Sequence, residues 1–171
     1  HLLAGLASAG VLGGAGAVAT GALGGESDSI EPVTLDTVDA PGSRDGEVTL
    51  PAPDRPTFVD FFATWCSPCK EQMPALAAAH DRIGDEVLFV SVTTEDIGDA
   101  IPEQDVVEMW ENYDGDWLVA ADRSAELAAR LNLSGLPSAR AIDASRRVRW
   151  ATSGTHTTEE FVEGIERAID R

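Results

Sequence analysis

The chain has 171 residues, 43% of them hydrophobic, with a formal net charge of -18 at pH 7 and a sequence pI of about 4.2. That length accommodates one domain with a packed core and a tail besides. A surface this acidic repels phosphate backbones and anionic headgroups, which argues against a nucleic-acid partner and against docking on a membrane through a basic patch.

The basic residues are lopsided, since Lys70 is the only lysine and the rest are arginines. With the acidic excess, the composition resembles that of proteins from salt-loving archaea; an ordinary acidic protein from a GC-rich genome is the alternative. Self-repulsion in such a chain is relieved by screening. The melting temperature is therefore expected to rise between low and molar KCl. Thermal melts in which it stays level or falls would remove the halophilic reading.

In chain order, residues 1–25 are rich in Gly, Ala and Leu and hold no acid, and charge begins at Glu26. The apolar stretch from Leu2 to Leu23 is nearly long enough to span a bilayer, although its glycines leave it weakly hydrophobic. Ala17-Val18-Ala19 fits a small-residue cleavage pattern. The segment reads as a secretory signal or a membrane anchor, with twin-arginine export as one route. A disordered tail or a buried helix is the alternative. It contains no cysteine for a lipid to attach to. Residues 26–32 read as a linker and 33–171 as the folded domain.

Val33 to Val38 and Glu47 to Leu50 flank Pro41-Gly42-Ser43-Arg44-Asp45-Gly46, whose proline and glycines signal a turn, so a β-hairpin is expected. Phe58-Val59-Asp60-Phe61-Phe62 reads as a buried strand interrupted by one acid. After Cys66, the residues Met73, Leu76, Ala77, His80 and Ile83 recur at helical spacing, with a kink expected at Pro74. Val87 to Val92 suits a central parallel strand. Ile101-Pro102-Glu103 opens a further helix, with proline and acids in its first turn and Val106, Trp110 and Tyr113 on its apolar face. Trp117 to Ala120 is a short strand, and Leu127, Ala128 and Leu131 mark another helix. Ser138 to Ile142 and Arg147 to Trp150 are strands joined by a turn at Asp143 to Ser145. Thr157 and Glu160 have capping-box spacing before a last helix that turns Phe161, Ile165, Ala168 and Ile169 inward. Strands alternating with helices imply an α/β fold, a mainly parallel sheet with helices on both faces, to which the last strand pair adds an antiparallel edge.

The chemistry concentrates in Trp65-Cys66-Ser67-Pro68-Cys69, between a strand and a helix. The thiolate is the nucleophile in disulfide exchange. Unpaired N–H groups and the dipole at a helix N-terminus stabilise that anion, and Cys66 stands there. Cys69, at i+3, shares its face one turn deeper. Cys66 can therefore attack a disulfide as the exposed thiol, and the shielded Cys69 can resolve the mixed disulfide. Pro68 stiffens the intervening turn and has no N–H to satisfy. Three rival readings are weaker. A structural disulfide closing so short a loop removes little chain entropy. A zinc site would need His1, His80 or His156 to join the cysteines. Two inert thiols would leave the strand-to-helix placement unexplained.

From Phe58 to Pro74 the sequence resembles the active-site region of the thioredoxin superfamily. Within it, Ala63-Thr64-Trp65-Cys66 and Glu71-Gln72-Met73-Pro74 look most like the extracytoplasmic TlpA/ResA-type reductases. The resemblance runs from about Val33 to Arg171. It implies a thioredoxin-like fold, with a central mixed sheet, helices on both faces, an N-terminal hairpin and an inserted helix between Thr94 and Asp116. It implies dithiol–disulfide exchange with protein cysteines, without metal or organic cofactor and fed by an upstream redox donor. The direction implied is reduction, outside the cytoplasm, in a secreted or membrane-anchored protein.

The superfamily's second mark is Gly135-Leu136-Pro137. The resemblance implies a cis Pro137 facing the cysteines and a Leu136 backbone that pairs with an extended substrate segment. An ordinary trans-proline turn is the alternative. Trp65, Ser67 and Pro68 belong, by the same resemblance, to the substrate-binding surface. The third mark is Asp60, six positions before Cys66. Burial raises a carboxylate pKa, and the resemblance implies general-base help to Cys69. An acid at a solvated strand end is the alternative. Thioredoxins often place a lysine near this acid, but Lys70 lies beyond the second cysteine, which leaves the partner of Asp60 open.

His80 and His156 read as structural, Trp110 and Tyr113 as core, and Arg146-Arg147 with Arg149 as a solvated strand edge. Rival functions are a thiol oxidant of the same fold, a copper metallochaperone and a peroxidase. The copper-handling relatives use a longer Cys-x-x-x-Cys-Pro spacing and a histidine, which this motif lacks.

Overall fold

The computed structural model describes residues 28–169. Its strands are β1 (Val33–Thr37), β2 (Gly46–Leu50), β3 (Thr57–Phe61), β4 (Leu88–Thr93), β5 (Leu118–Ala121), β6 (Ser138–Ile142) and β7 (Val148–Ser153). Its helices are α1 (Ser67–Ile83), α2 (Glu103–Asn112), α3 (Glu126–Arg130) and α4 (Thr158–Glu166). All strands join one seven-stranded sheet in the order β2-β1-β5-β4-β3-β6-β7. The centre, β3-β4-β5, is parallel. Both flanks are antiparallel, so the sheet is mixed, as the resemblance implies, and not mainly parallel, as the strand–helix alternation suggested, because the hairpin adds a second antiparallel flank beside β5. The hairpin docks through β1 on β5, with Asp36 opposite Ala121 and Thr37 opposite Ala120.

Every residue of β3 is buried because helices cover both faces of the sheet centre. Successive strand residues alternate between those faces. Phe58 and Phe62 join α1, α2 and α4 in one core. Val59 and Phe61 join α3 and the hairpin residues Leu35, Val48 and Leu50 in the other. The alternation puts Asp60 on the α1 side, opposite Ser91 of β4 and Ala139 of β6.

α1 continues across Pro74, which is exposed and has no N–H to donate to the carbonyl of Lys70. α2 is the inserted helix. Val106, Met109 and Trp110 are buried, and the Trp110 indole donates to the carbonyl of Trp117 at 3.0 Å. Tyr113 ends α2 half-buried, so the core expectation holds fully for Trp110 and partly for Tyr113. Thr157 caps α4 by accepting the Glu160 N–H at 3.2 Å, as the spacing predicts. Gly164 is required there, because a Cβ at that position would sit 2.3 Å from the Trp150 ring.

Two further points extend the sequence reading. The stretch read as a linker is tied to the domain from Ile30, whose N–H donates to the Arg146 carbonyl at 2.8 Å. Arg130 also donates to the carbonyls of Glu31 and Pro32. Second, β6 carries a buried arginine that no pattern predicted. Arg140 is 7% exposed and donates to the carbonyls of Leu131, Asn132, Ala139 and Thr152. Burial lowers its pKa. The signal or anchor expected in residues 1–25 lies outside the described residues. Among the described residues, no helix is long and apolar enough to cross a membrane.

Candidate active site

β3 and β4 end together, and the chain leaves β3 in a turn that delivers Cys66. The Phe62 N–H donates to the Val92 carbonyl at 3.0 Å, and the Cys66 N–H closes the turn on the Ala63 carbonyl at 3.1 Å. Cys66 is the N-cap of α1, with Ser67 and Pro68 in the first turn. Its Sγ accepts the Cys69 N–H at 3.3 Å, so a backbone donor left over at the helix start points at the sulfur. Cys66 and Cys69 form a disulfide with Cα atoms 5.3 Å apart.

Both cysteines are buried, Cys66 at 3% and Cys69 at 2% exposure. The expectation of an exposed Cys66 therefore does not hold in the disulfide form. The cap conformation folds its Sγ inward over the first turn to meet Cys69. Around the pair, Ser67 and Pro68 are exposed and Trp65 stands 71% exposed.

The Leu136–Pro137 bond is cis, as the resemblance implies. Ser138 lies opposite Phe61, so Pro137 and the Cys66 turn lie at the same end of the sheet. The arm is held by the Gly154 N–H on the Pro137 carbonyl at 2.9 Å and the Ser138 hydroxyl on the Gly135 carbonyl at 2.7 Å. Arg140 binds the carbonyls of Leu131 and Asn132 upstream of it. Leu136 is half-buried, and its backbone makes no hydrogen bond among the described residues.

Asp60 lies beneath α1, 3% exposed. The Ser91 hydroxyl donates to its Oδ2 at 2.8 Å and the Gln72 amide to its Oδ1 at 3.4 Å. The Trp117 indole donates to the same Ser91 oxygen at 2.8 Å. Burial raises the Asp60 pKa to about 7, against the lowering effect of the Ser91 and Gln72 hydrogen bonds. Its partners are thus neutral donors and not Lys70. Gln72 stands three residues after Cys69 on the buried face of α1, and its Oε1 accepts the His156 N–H at 3.2 Å. Lys70 instead lines a cleft of ≈ 430 Å³ with Trp65, Asp105, Glu108 and Tyr113, between the Cys66 turn and α2.

The histidines play the structural parts expected of them. His80 packs edge-on against Phe89, and the His156 ring bonds Thr152 and Glu160. Arg149 reaches Asp143 at 3.7 Å along the exposed β7 edge. Among the described residues, no three His, Cys, Asp or Glu side chains group so as to hold a metal ion.

Sequence reasoning gave no site role to Gln72, named only within Glu71-Gln72-Met73-Pro74, nor to Ser91, Trp117 and Glu95, whose carboxylate accepts the N–H and hydroxyl of Thr64 beside the Cys66 turn. Glu95 was findable as the first acid beyond the C-terminal end of a central parallel strand, where functional groups of α/β sheets collect. The other three needed the strand register and helix face to be known.

The Redoxin family model matches residues 28–169, so the chain belongs to the Redoxin family. Among individual proteins, it is 29% identical over 112 residues to the thiol-disulfide oxidoreductase ResA of Geobacillus kaustophilus, covering 64% of this chain and 60% of that one. It is 40% identical over 42 residues to the chloroplastic thioredoxin Y of Oryza sativa, 25% of either chain. The chain thus spans less than two thirds of the length of these relatives. The crystal structure of StoA from Bacillus subtilis superposes with a TM-score of 0.64 at 18% identity, over 80% of this chain and 97% of that one. That agreement shows the thioredoxin-like fold.

Proposed function

We propose that the protein is a thiol-disulfide oxidoreductase that exchanges its Cys66–Cys69 pair with the cysteines of protein substrates, working as a reductase outside the cytoplasm. The observation that carries the reading is the Cys66–Cys69 disulfide at the start of α1, with Cys66 as the cap. The resemblance to ResA supports it.

In the reduced protein, the Cys66 thiolate attacks one sulfur of a substrate disulfide. The substrate S–S bond breaks, and its other sulfur leaves and takes up a proton. Cys69 then gives its proton to Asp60 and attacks the Cys66 sulfur of the mixed disulfide. The bond between Cys66 and the substrate sulfur breaks, that sulfur leaves and takes up a proton, two electrons have passed to the substrate, and the Cys66–Cys69 disulfide remains. An upstream dithiol donor restores the starting state. A base with a pKa of about 7 is matched to that proton transfer near neutral pH. Trp65, Ser67 and Pro68 offer the exposed contact surface, and the unbonded Leu136 backbone offers strand-like pairing to an extended substrate. The reaction calls for no metal or organic cofactor.

The test is the equilibrium reduction potential of the Cys66–Cys69 pair against glutathione, together with reduction of a protein disulfide by the reduced chain. A potential below that of the glutathione pool fits a reductase, and one far above it points to an oxidant. For location, fractionation of cells making the full-length gene product should place it outside the cytoplasm, on the reading of residues 1–25 as a secretory signal or membrane anchor. Recovery of the whole unprocessed product from the cytosol would refute that.

A further inference from the structure

Thr64 precedes Trp65 and Cys66 and lies in the centre of the turn that places the nucleophile. Both of its polar donors end on one side chain. The Thr64 N–H donates to Glu95 Oε2 at 2.9 Å and the Thr64 hydroxyl to Glu95 Oε1 at 2.7 Å. A third donor fixes the carboxylate itself. The Thr93 hydroxyl reaches Oε2 at 2.8 Å, while the Glu95 N–H donates back to the Thr93 oxygen at 3.2 Å. Thr93 is the last residue of β4 and is buried.

We infer that Glu95 is a positioning residue for Cys66, a carboxylate clamp anchored on β4 that fixes the turn and so holds Cys66 at the helix cap. This rests on the proposed reaction at Cys66. Three properties favour the assignment. The contacts are charge-assisted, about twice as strong as neutral ones. They are two-point, so they fix the orientation of Thr64 as well as its distance. They also join the loops that follow two neighbouring parallel strands, which no backbone ladder connects beyond Phe62 and Val92. The Ala63–Cys66 bond alone leaves the turn free to rock about its ends. With the clamp in place, the Cys66 sulfur stays over the Cys69 N–H, the arrangement that stabilises its thiolate. Glu95 touches neither sulfur nor substrate, so its effect reaches the chemistry only through Thr64.

The sign of one substitution separates position from charge. Removing a negative charge near a thiol makes the thiol more acidic and its alkylation faster. If Glu95 acts by positioning, Glu95→Gln should do the opposite. The full chain is reduced, and the iodoacetamide alkylation rate of Cys66 is followed against pH, with the melting temperature recorded for each variant. Thr64→Val, which keeps the Glu95 charge and removes the hydroxyl, should raise the alkylation midpoint and slow the reaction at pH 7 by about threefold, half a unit of thiol pKa. Glu95→Gln should slow it as well, and the double variant should be no slower than the worse single one, because both cut the same bond. Alkylation that is unchanged or faster in Glu95→Gln would overturn the assignment. So would strictly additive effects, or a lower melting temperature with no shift of midpoint. Reduction of a test disulfide by the parent is measured beside it. Its failure would remove the oxidoreductase reading and still leave the alkylation series to decide on Glu95.

Discussion

Cys69→Ser is expected to accumulate mixed disulfides with its substrates through Cys66, while Cys66→Ser traps none. The expectation follows from the placement of the sulfurs. Cys66 is the cap of α1 and Cys69 its third helical residue, so only Cys66 sits where the first N–H groups converge. Removing the attacker should depress disulfide reduction on the order of 10³-fold or more, since the remaining thiol, Cys69, lies inside the helix and off its cap. Removing Cys69 leaves the first attack intact and blocks the second. Both cysteines are covered in the disulfide form, and the asymmetry that this form shows is the cap position of Cys66. Non-reducing gels after incubation with substrate proteins, and mass spectrometry of the adducts, provide the check. Trapping by Cys66→Ser but not by Cys69→Ser would reverse the roles.

Asp60→Asn is expected to act on both rate and stability. The rate of resolution, read by stopped-flow after a rapid first attack, should fall by roughly a hundredfold, the usual loss on removing a general base. Equal resolution rates in variant and parent from pH 6 to 9 would mean that Asp60 moves no proton. The effect on stability has a definite sign. Burial raises the folded-state pKa to about 7 from 3.8, so the folded protein holds a proton that the unfolded chain releases. Stability from this group is fully present below the unfolded pKa. It declines as the pH rises toward 7 and levels off above it, by up to ~4 kcal/mol. The variant lacks this limb, so its advantage over the parent should grow from pH 4 to 8. Denaturant titrations of the oxidised proteins would show it, and parallel curves would place the titration of Asp60 outside that range.

The local elements were readable because their signals are local. The period of α1, the capping box at Thr157 and the apolar runs of β3 and β4 each depend on a few adjacent residues. Cys66, Cys69 and Pro137 announced themselves by motif. What stayed hidden depends on residues far apart in the chain. Nothing near β1 shows that it pairs with β5 rather than closing the other edge, because that choice is set by antiparallel contacts between Asp36 and Ala121. The partners of Asp60 were open for the same reason. Ser91 meets it only through the β3–β4 register, and Gln72 only once α1 lies across the strand. The burial of Cys66 depends on the cap rotating its sulfur inward, which spacing does not encode.

Arg140 divides the molecule's response to its ionic surroundings. In a chain so heavily negative, surface pairs such as Arg82–Glu159 stand in water, with both side chains more than half exposed, and mobile ions compete with them. Among the described residues, no carboxylate pairs with Arg140. Its side chain is buried and held by carbonyl oxygens, including those of Leu131 and Asn132 on the arm that leads to Pro137. Dissolved electrolyte has little access to those bonds. The proline arm is therefore tethered by a buried cationic contact that salt screens less than it screens the surface ion pairs. The hold on the arm at the cysteine end of the sheet should therefore depend less on ionic strength than the pairs on the outer surface do.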